Sequence, residues 1–205
     1  MSYVITADTE DIDLVMGQVR VSTFGKSVPI RGNLSDSGEE HGDLPRVYLR
    51  LRNVRVLSVK SWDEDKKTEK RPKQGDEKLY MNIPMCNNRV GETEEQARLV
   101  RVMDKISRTV STLVTASPSI RSGLQLFPNL KPELIESLAE TLQINMMKPL
   151  PEGQVAGEVL ADGKYPARYF TPQVNNKFRR TQFWDREGNK IGTDVVKTWT
   201  SGFDC

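Results

Sequence analysis

The chain has 205 residues, 37% hydrophobic and 28% charged, with a formal net charge of +2. That length can bury a core without staples, and its two cysteines, Cys86 and Cys205, exclude a disulfide framework. No apolar run approaches the ~18 residues a membrane span needs, and residues 1–20 carry acids where a secretory leader would be basic and apolar, so a reducing, cytoplasmic setting without a membrane partner is expected.

The first 45 residues read as short strands at 3–6, 15–21 and 27–30, followed by a loop over 31–45 dense in Gly, Ser and Asp and closed by Pro45. The run from Val47 to Trp62 is the strongest strand pattern. Val47, Leu49 and Leu51 share one face, with Tyr48, Arg50 and Arg52 on the other, and Lys60 and Trp62 lie further along. Beyond Asn53 the apolar parity changes, because Val54 and Val56 fall in register with the arginines. A period of two that slips once predicts a bulge or a sharp bend, as small closed barrels require.

Residues 63–78 form a charged excursion with six acids and six bases. Without apolar residues it has nothing to pack, so it reads as a long loop joining paired strands at 54–62 and 79–85. After it the period switches. Thr93 and Gln96 fit a capping box, and Leu99, Val102, Met103, Ile106, Val110 and Leu113 recur at helical spacing up to Pro118. A second helix is expected near Pro132 to Gln143. The C-terminal part returns to strands, ending in a hairpin of 177–184 and 190–199 about a Gly-Asn turn. The expected fold is a single β-rich α+β domain: an OB-like barrel with a helical insertion at about 93–143 between its middle and C-terminal strands.

Charge is unevenly spread. Residues 1–45 hold eight acids and three bases; residues 163–199 hold eight bases and three acids. A polyanion would be drawn to the second region.

Enzymatic readings find little support. His41, the single histidine, sits in an acidic loop, and two cysteines with one histidine give no zinc-ligand spacing. No phosphate loop, dinucleotide fingerprint or nucleophile elbow is present. Asp63, Glu64 and Asp65 beside Lys66 and Lys67 read as a solvated charge run rather than a metal site. No catalysis, metal or cofactor is expected.

Binding is better supported. A protein that holds a single nucleic-acid strand needs cations along the phosphates and exposed rings under the bases. Residues 164–186 interleave Tyr165, Tyr169, Phe170, Phe178, Phe183 and Trp184 with Lys164, Arg168, Lys177, Arg179, Arg180 and Arg186. Alternation places Lys177, Arg179, Thr181 and Phe183 on one face and Phe178, Arg180, Gln182 and Trp184 on the other. Rings flanking a hairpin turn, as Phe183 and Trp184 do, serve more often as core than as platforms. The candidate contacts are Arg50, Arg52, Arg168, Lys177, Arg179 and Arg180 for phosphates, with Tyr48, Tyr169, Phe178 and Trp184 for bases.

The layout over about residues 47–192 resembles the single-stranded DNA-binding proteins of large DNA viruses. It is carried by "KLYMNIPM", the helix "ARLVRVMDKISRTVSTLV", Tyr165-Pro166 and "FWDREGNKI". The resemblance implies a non-catalytic protein that coats single-stranded DNA during replication, in host cytoplasm or a virus factory. Such proteins often carry an acidic tail, whereas "WTSGFDC" offers Asp204 alone. The partner expected is single-stranded DNA or RNA, bound with little sequence preference, within a homo-oligomer or larger assembly. The alternatives are a non-catalytic structural protein, such as a minor virion component, and an enzyme accessory subunit.

Overall fold

Alternating apolar residues and one amphipathic run of nearly two dozen residues give a mixed α+β chain, strand-rich with few helices. The computed structural model describes residues 2–22, 25–33, 44–52, 54–61, 79–126, 131, 134, 144–174, 181–185, 187–197 and 203–204. The chain divides into two compact units that interleave in sequence: Met1–Arg50 with Ala97–Met146, and Leu51–Gln96 with Met147–Cys205.

The first unit contains β1 (Ser2–Ile5), β2 (Leu14–Met16), β3 (Arg20–Ser22), β4 (Gly25–Ser27), β5 (Ile30–Gly32) and β6 (Arg46–Leu49). Four of these form an open sheet in the order β1-β6-β5-β2, with β1 parallel to β6 and the other pairs antiparallel; β3 and β4 form a separate hairpin. The register sorts the side chains. Tyr3, Ile5, Leu14, Ile30, Val47 and Leu49 line the inner face and pack with Val102, Ile106, Val110 and Val114 of helix α1 (Glu94–Ala116). Gly32 is required on that face, because a Cβ there would lie 2.2 Å from the Tyr3 ring.

α1 begins at the expected capping box. Thr93 Oγ1 accepts from Gln96 N–H at 3.2 Å, and Gln96 Oε1 accepts from Thr93 N–H at 2.8 Å. Glu94 and Glu95 in the first turn complement the helix dipole. Leu99 and Met103 are buried as expected, and Leu113 is half-buried. Ser107 and Ser111 donate to carbonyls one turn back and accept the N–H groups of Met146 and Ile144, which fastens the returning chain to the helix. Pro118 does end α1, but it also opens α2 (Pro118–Leu124) at a position where its missing N–H costs nothing. The second expected helix falls, Leu134 and Lys131 apart, from 132 to 143 outside the described residues, as do the loop at 34–43 with His41 and the excursion at 62–78.

The second unit holds β7 (Arg55–Val56), β8 (Ser58–Ser61) and β9 (Leu79–Pro84) before the helices, then β10 (Tyr169–Phe170), β11 (Gln173–Val174), β12 (Phe183–Trp184), β13 (Lys190–Ile191), α3 (Thr193–Lys197) and β14 (Phe203–Asp204). β9 is central: β8 pairs one edge, and β10 and β11 pair the two halves of the other. β7 pairs β14, and β12 pairs β13.

One expectation is met in part and another needs correction. Among the described residues no sheet closes into a barrel: β1 and β2 are free edges, and the remaining strands form small separate sheets. The parity slip at Asn53 predicts a bulge or a sharp bend within one long strand, and Asn53 itself lies outside the described residues. The strand instead stops at Leu49, and the chain leaves the first unit for the second at this point. The run after Ile191 is not strand either. Thr193–Lys197 is helical, with Asp194 in its first turn and Val196 fully buried.

Candidate nucleic-acid interface

In the first unit, the sheet face turned away from α1 carries Ser2, Val4, Val15, Arg31, Arg46 and Tyr48 in its register positions. Arg31 stands directly opposite Arg46. The bond from Gly32 N–H to the Pro45 carbonyl flanks that pair, so it is of the non-hydrogen-bonded kind, in which side chains stand closest. Like charges directly opposite across strands repel; among the described residues no carboxylate occupies a paired position of this face, and the nearest in register, Asp13 just before β2, is bonded to Asn33. Tyr48 is 49% exposed and Val4, its register partner, is 38% exposed. Arg50 follows β6 with an exposed side chain, and its N–H is held by the Ile5 carbonyl at 2.8 Å. Two residues singled out from sequence, Tyr48 and Arg50, are thereby joined by Arg31 and Arg46, which sequence reasoning missed.

In the second unit, β9 alternates cleanly. Leu79 and Ile83 are buried and Met81 is half-buried, standing opposite Val174, Phe170 and Val59 respectively, and Met85 just past the strand is buried too; Tyr80, Asn82 and Pro84 form the opposite row. Beside that row stand Gln173, opposite Tyr80, and Tyr169, opposite Pro84 and 37% exposed. Lys60 also stands opposite Tyr80, from β8. Four residues of strand separate the two tyrosine positions, about 13 Å at the usual rise. Tyr169 was legible in sequence; Tyr80, Asn82 and Gln173 were not.

The C-terminal hairpin makes a third exposed ring position. Trp184 is 57% exposed and stands opposite Lys190, while Phe183 is half-buried opposite Ile191. Asp185 builds the turn. Its carboxylate accepts from the Asn189 N–H at 2.7 Å and from the Asn189 amide at 3.0 Å, which holds its pKa below the usual carboxylate range. Gly188 takes φ +83, open to glycine without strain.

The remaining candidates sort by position. Arg52 is exposed in the second unit, so it does not share the sheet of Tyr48 and Arg50. Arg168 is half-buried, its carbonyl accepts from Met85 N–H at 2.8 Å, and its charge acts on Cys86. Cys86 is itself buried, and its thiol pKa is raised by burial and by Glu92, against the opposing effect of Arg168. Tyr165 packs over Gly91 and Pro166 is fully buried, so this pair of the proposed motif is structural. Lys177, Phe178, Arg179 and Arg180 lie outside the described residues.

Among the described residues no three metal-ligating side chains cluster, and no helix is long and apolar enough to cross a membrane. No protein-family model matches the chain, and neither a curated protein nor a solved structure is significantly similar to it.

Proposed function

We propose that the protein binds single-stranded nucleic acid, DNA in the first instance, with little sequence preference and without catalysis. The observation that carries this reading is the outer face of the first sheet. Arg31 and Arg46 face each other there at close range beside exposed Tyr48, with Arg50 one step beyond and no acid at the paired positions of β1, β2, β5 and β6. Such a face is repulsive by itself and is stabilised when an anion bridges it. Phosphates satisfy that requirement, and the adjacent rings offer π-faces that every base can use. The second unit supplies further rings at Tyr169, Tyr80 and Trp184. The resemblance to viral single-stranded DNA-binding proteins points the same way for function, although the OB-like barrel it implies is absent among the described residues.

The test is fluorescence anisotropy with labelled oligo(dT), with duplex DNA of equal length as control. The expected result is binding that prefers the single strand and weakens steeply as salt rises. Absence of binding at low salt would overturn the reading.

A second reading, a structural subunit of a larger assembly, is favoured by one feature: Val90, Val155, Val159 and Trp184 of the second unit are each more than half exposed. Exposed apolar anchors of this kind suit a protein interface. Sedimentation separates the two, because a structural subunit assembles without nucleic acid.

A further inference from the structure

Outside both sheets, α1 carries another concentration of charge. Arg98, Arg101, Lys105 and Arg108 recur at intervals of three and four and fall within an arc of about 80° on the helix. Arg98, Arg101 and Arg108 are exposed, and Asp104 stands at the margin of the arc.

The segment between β1 and β2 runs along this ridge and is acidic. Asp8 pairs with Arg98 at 3.4 Å, Asp11 pairs with Lys105 at 3.8 Å, and Lys105 Nζ also donates to the Glu10 carbonyl. An open cavity of about 500 Å³ lies between segment and helix, lined by residues that include Asp8, Glu10, Arg98, Arg101 and Lys105. Arg101 and Arg108 form no ion pair among the described residues.

The charged contacts of this segment are exposed. The Arg98 and Asp8 side chains are 45% and 76% exposed, and Asp11 is fully exposed. Exposed pairs are weak and screened by salt, so they exchange readily for a ligand of higher charge density. A phosphate backbone is such a ligand, because it presents many anions in a row and releases its own counterions when they are neutralised.

We propose that the α1 ridge is a further contact for a nucleic-acid phosphate backbone, and that the acidic segment 7–13 is a built-in competitor for it. The segment occupies Arg98 and Lys105 and leaves Arg101 and Arg108 to receive the first phosphates. Strand binding then displaces Asp8 and Asp11. The competitor lowers affinity for short or sparse anions, while a long strand overcomes it through the number of its contacts. This extends the function proposed above, but it requires no stacking, so a backbone without bases suffices to test it.

The experiment measures binding of a fluorescein-labelled abasic deoxyribose-phosphate oligomer to the full chain at low salt. Neutralising the segment with Asp8→Asn, Glu10→Gln and Asp11→Asn should tighten binding about five- to tenfold, and Arg101→Ala with Arg108→Ala should weaken it several-fold and reduce the salt slope by about 1.4. The arginine pair breaks no ion pair of the segment among the described residues, so it stands as a test even if the triple variant unfolds. Oligo(dT) binding by the unaltered chain, measured alongside, separates the two readings: oligo(dT) binding with no effect of the arginines marks failure of the ridge alone, and no binding of either oligomer marks failure of the function it rests on. Equal binding by the unaltered chain and the arginine variant, or no tightening in a folded triple variant, would overturn the proposal.

Discussion

The two units solve one problem differently: what to do with the sheet face that does not meet the core. In the first unit that face is cationic, with Arg31 set against Arg46 and a single ring at Tyr48. In the second it carries exposed Tyr169 and Gln173 beside half-buried Tyr80 and Asn82, whose Oδ1 is buried, with rings and amides in place of arginines. The inner faces, by contrast, are alike in being packed with Val, Leu and Ile. The comparison teaches that chemistry here lies in the outward half of the period-two pattern. It also predicts a division of labour, in which the first sheet supplies most of the salt-dependent part of binding and the second most of the salt-independent part.

Removing rings from the second sheet should have the largest effect. Each stacked base is worth about 1–3 kcal/mol, so Tyr80→Ala with Tyr169→Ala should weaken oligo(dT) binding by about thirtyfold or more. The slope of affinity against salt should stay as it was. A changed slope would break the comparison.

Removing charge from the first sheet comes next. Arg46→Ala with Arg50→Ala should weaken binding about tenfold at low salt, and loss of two phosphate contacts should flatten the salt slope by about 1.4. Loss of the Arg31–Arg46 repulsion should leave the free protein as stable or slightly more stable, measurable by urea unfolding. A large destabilisation would mean that these arginines are structural.

Gly32→Ala sharpens the comparison from the inside. The new methyl group would lie 2.2 Å from the Tyr3 ring, so ring or strand must move. Overpacking of this kind costs about 1–3 kcal/mol. Urea unfolding should show that loss, and binding that depends on the first sheet should fall with it.

The smallest effect concerns the C-terminal hairpin. Asp185 is held below the ordinary carboxylate range by the Asn189 amide and N–H, so its contribution to the turn is fully present above that range. It is lost as pH falls through the depressed folded value. The Asn189 amide resonance should shift along that acid titration in the unaltered chain and lack this step in Asp185→Ala.

The sequence was most legible where a pattern is local and repeated. The period of α1, its Thr93–Gln96 capping box and the Gly-Asn turn after Trp184 are each specified within a few residues, and they stand as expected. So does the pairing of β8 with β9, because each strand carries its own alternation and the charged excursion between them contains nothing to bury. Strands of two residues, such as β10 to β13, are shorter than the window in which a period can be recognised.

Register across long separations was out of reach. Tyr80 meets Gln173, and Arg31 meets Arg46, through pairings that no local signal announces. One clue was present: in "LYMNIP" the alternation itself sets Tyr80 and Asn82 against Leu79 and Ile83. The slip at Asn53 is visible in sequence, but a bend within one strand and a passage between two units leave the same mark on parity. For Trp184, beside a hairpin turn, core is the commoner expectation, yet it stands exposed in a two-stranded sheet.

The central claim is that the outward sheet faces hold a single strand. Photo-crosslinking to oligonucleotides carrying 5-bromodeoxyuridine, with the modified residues mapped by mass spectrometry, tests it most directly. Crosslinks at Tyr48, Tyr80 and Tyr169 are the predicted result. Crosslinks confined to other residues, or none from a strand that demonstrably binds, would contradict the account.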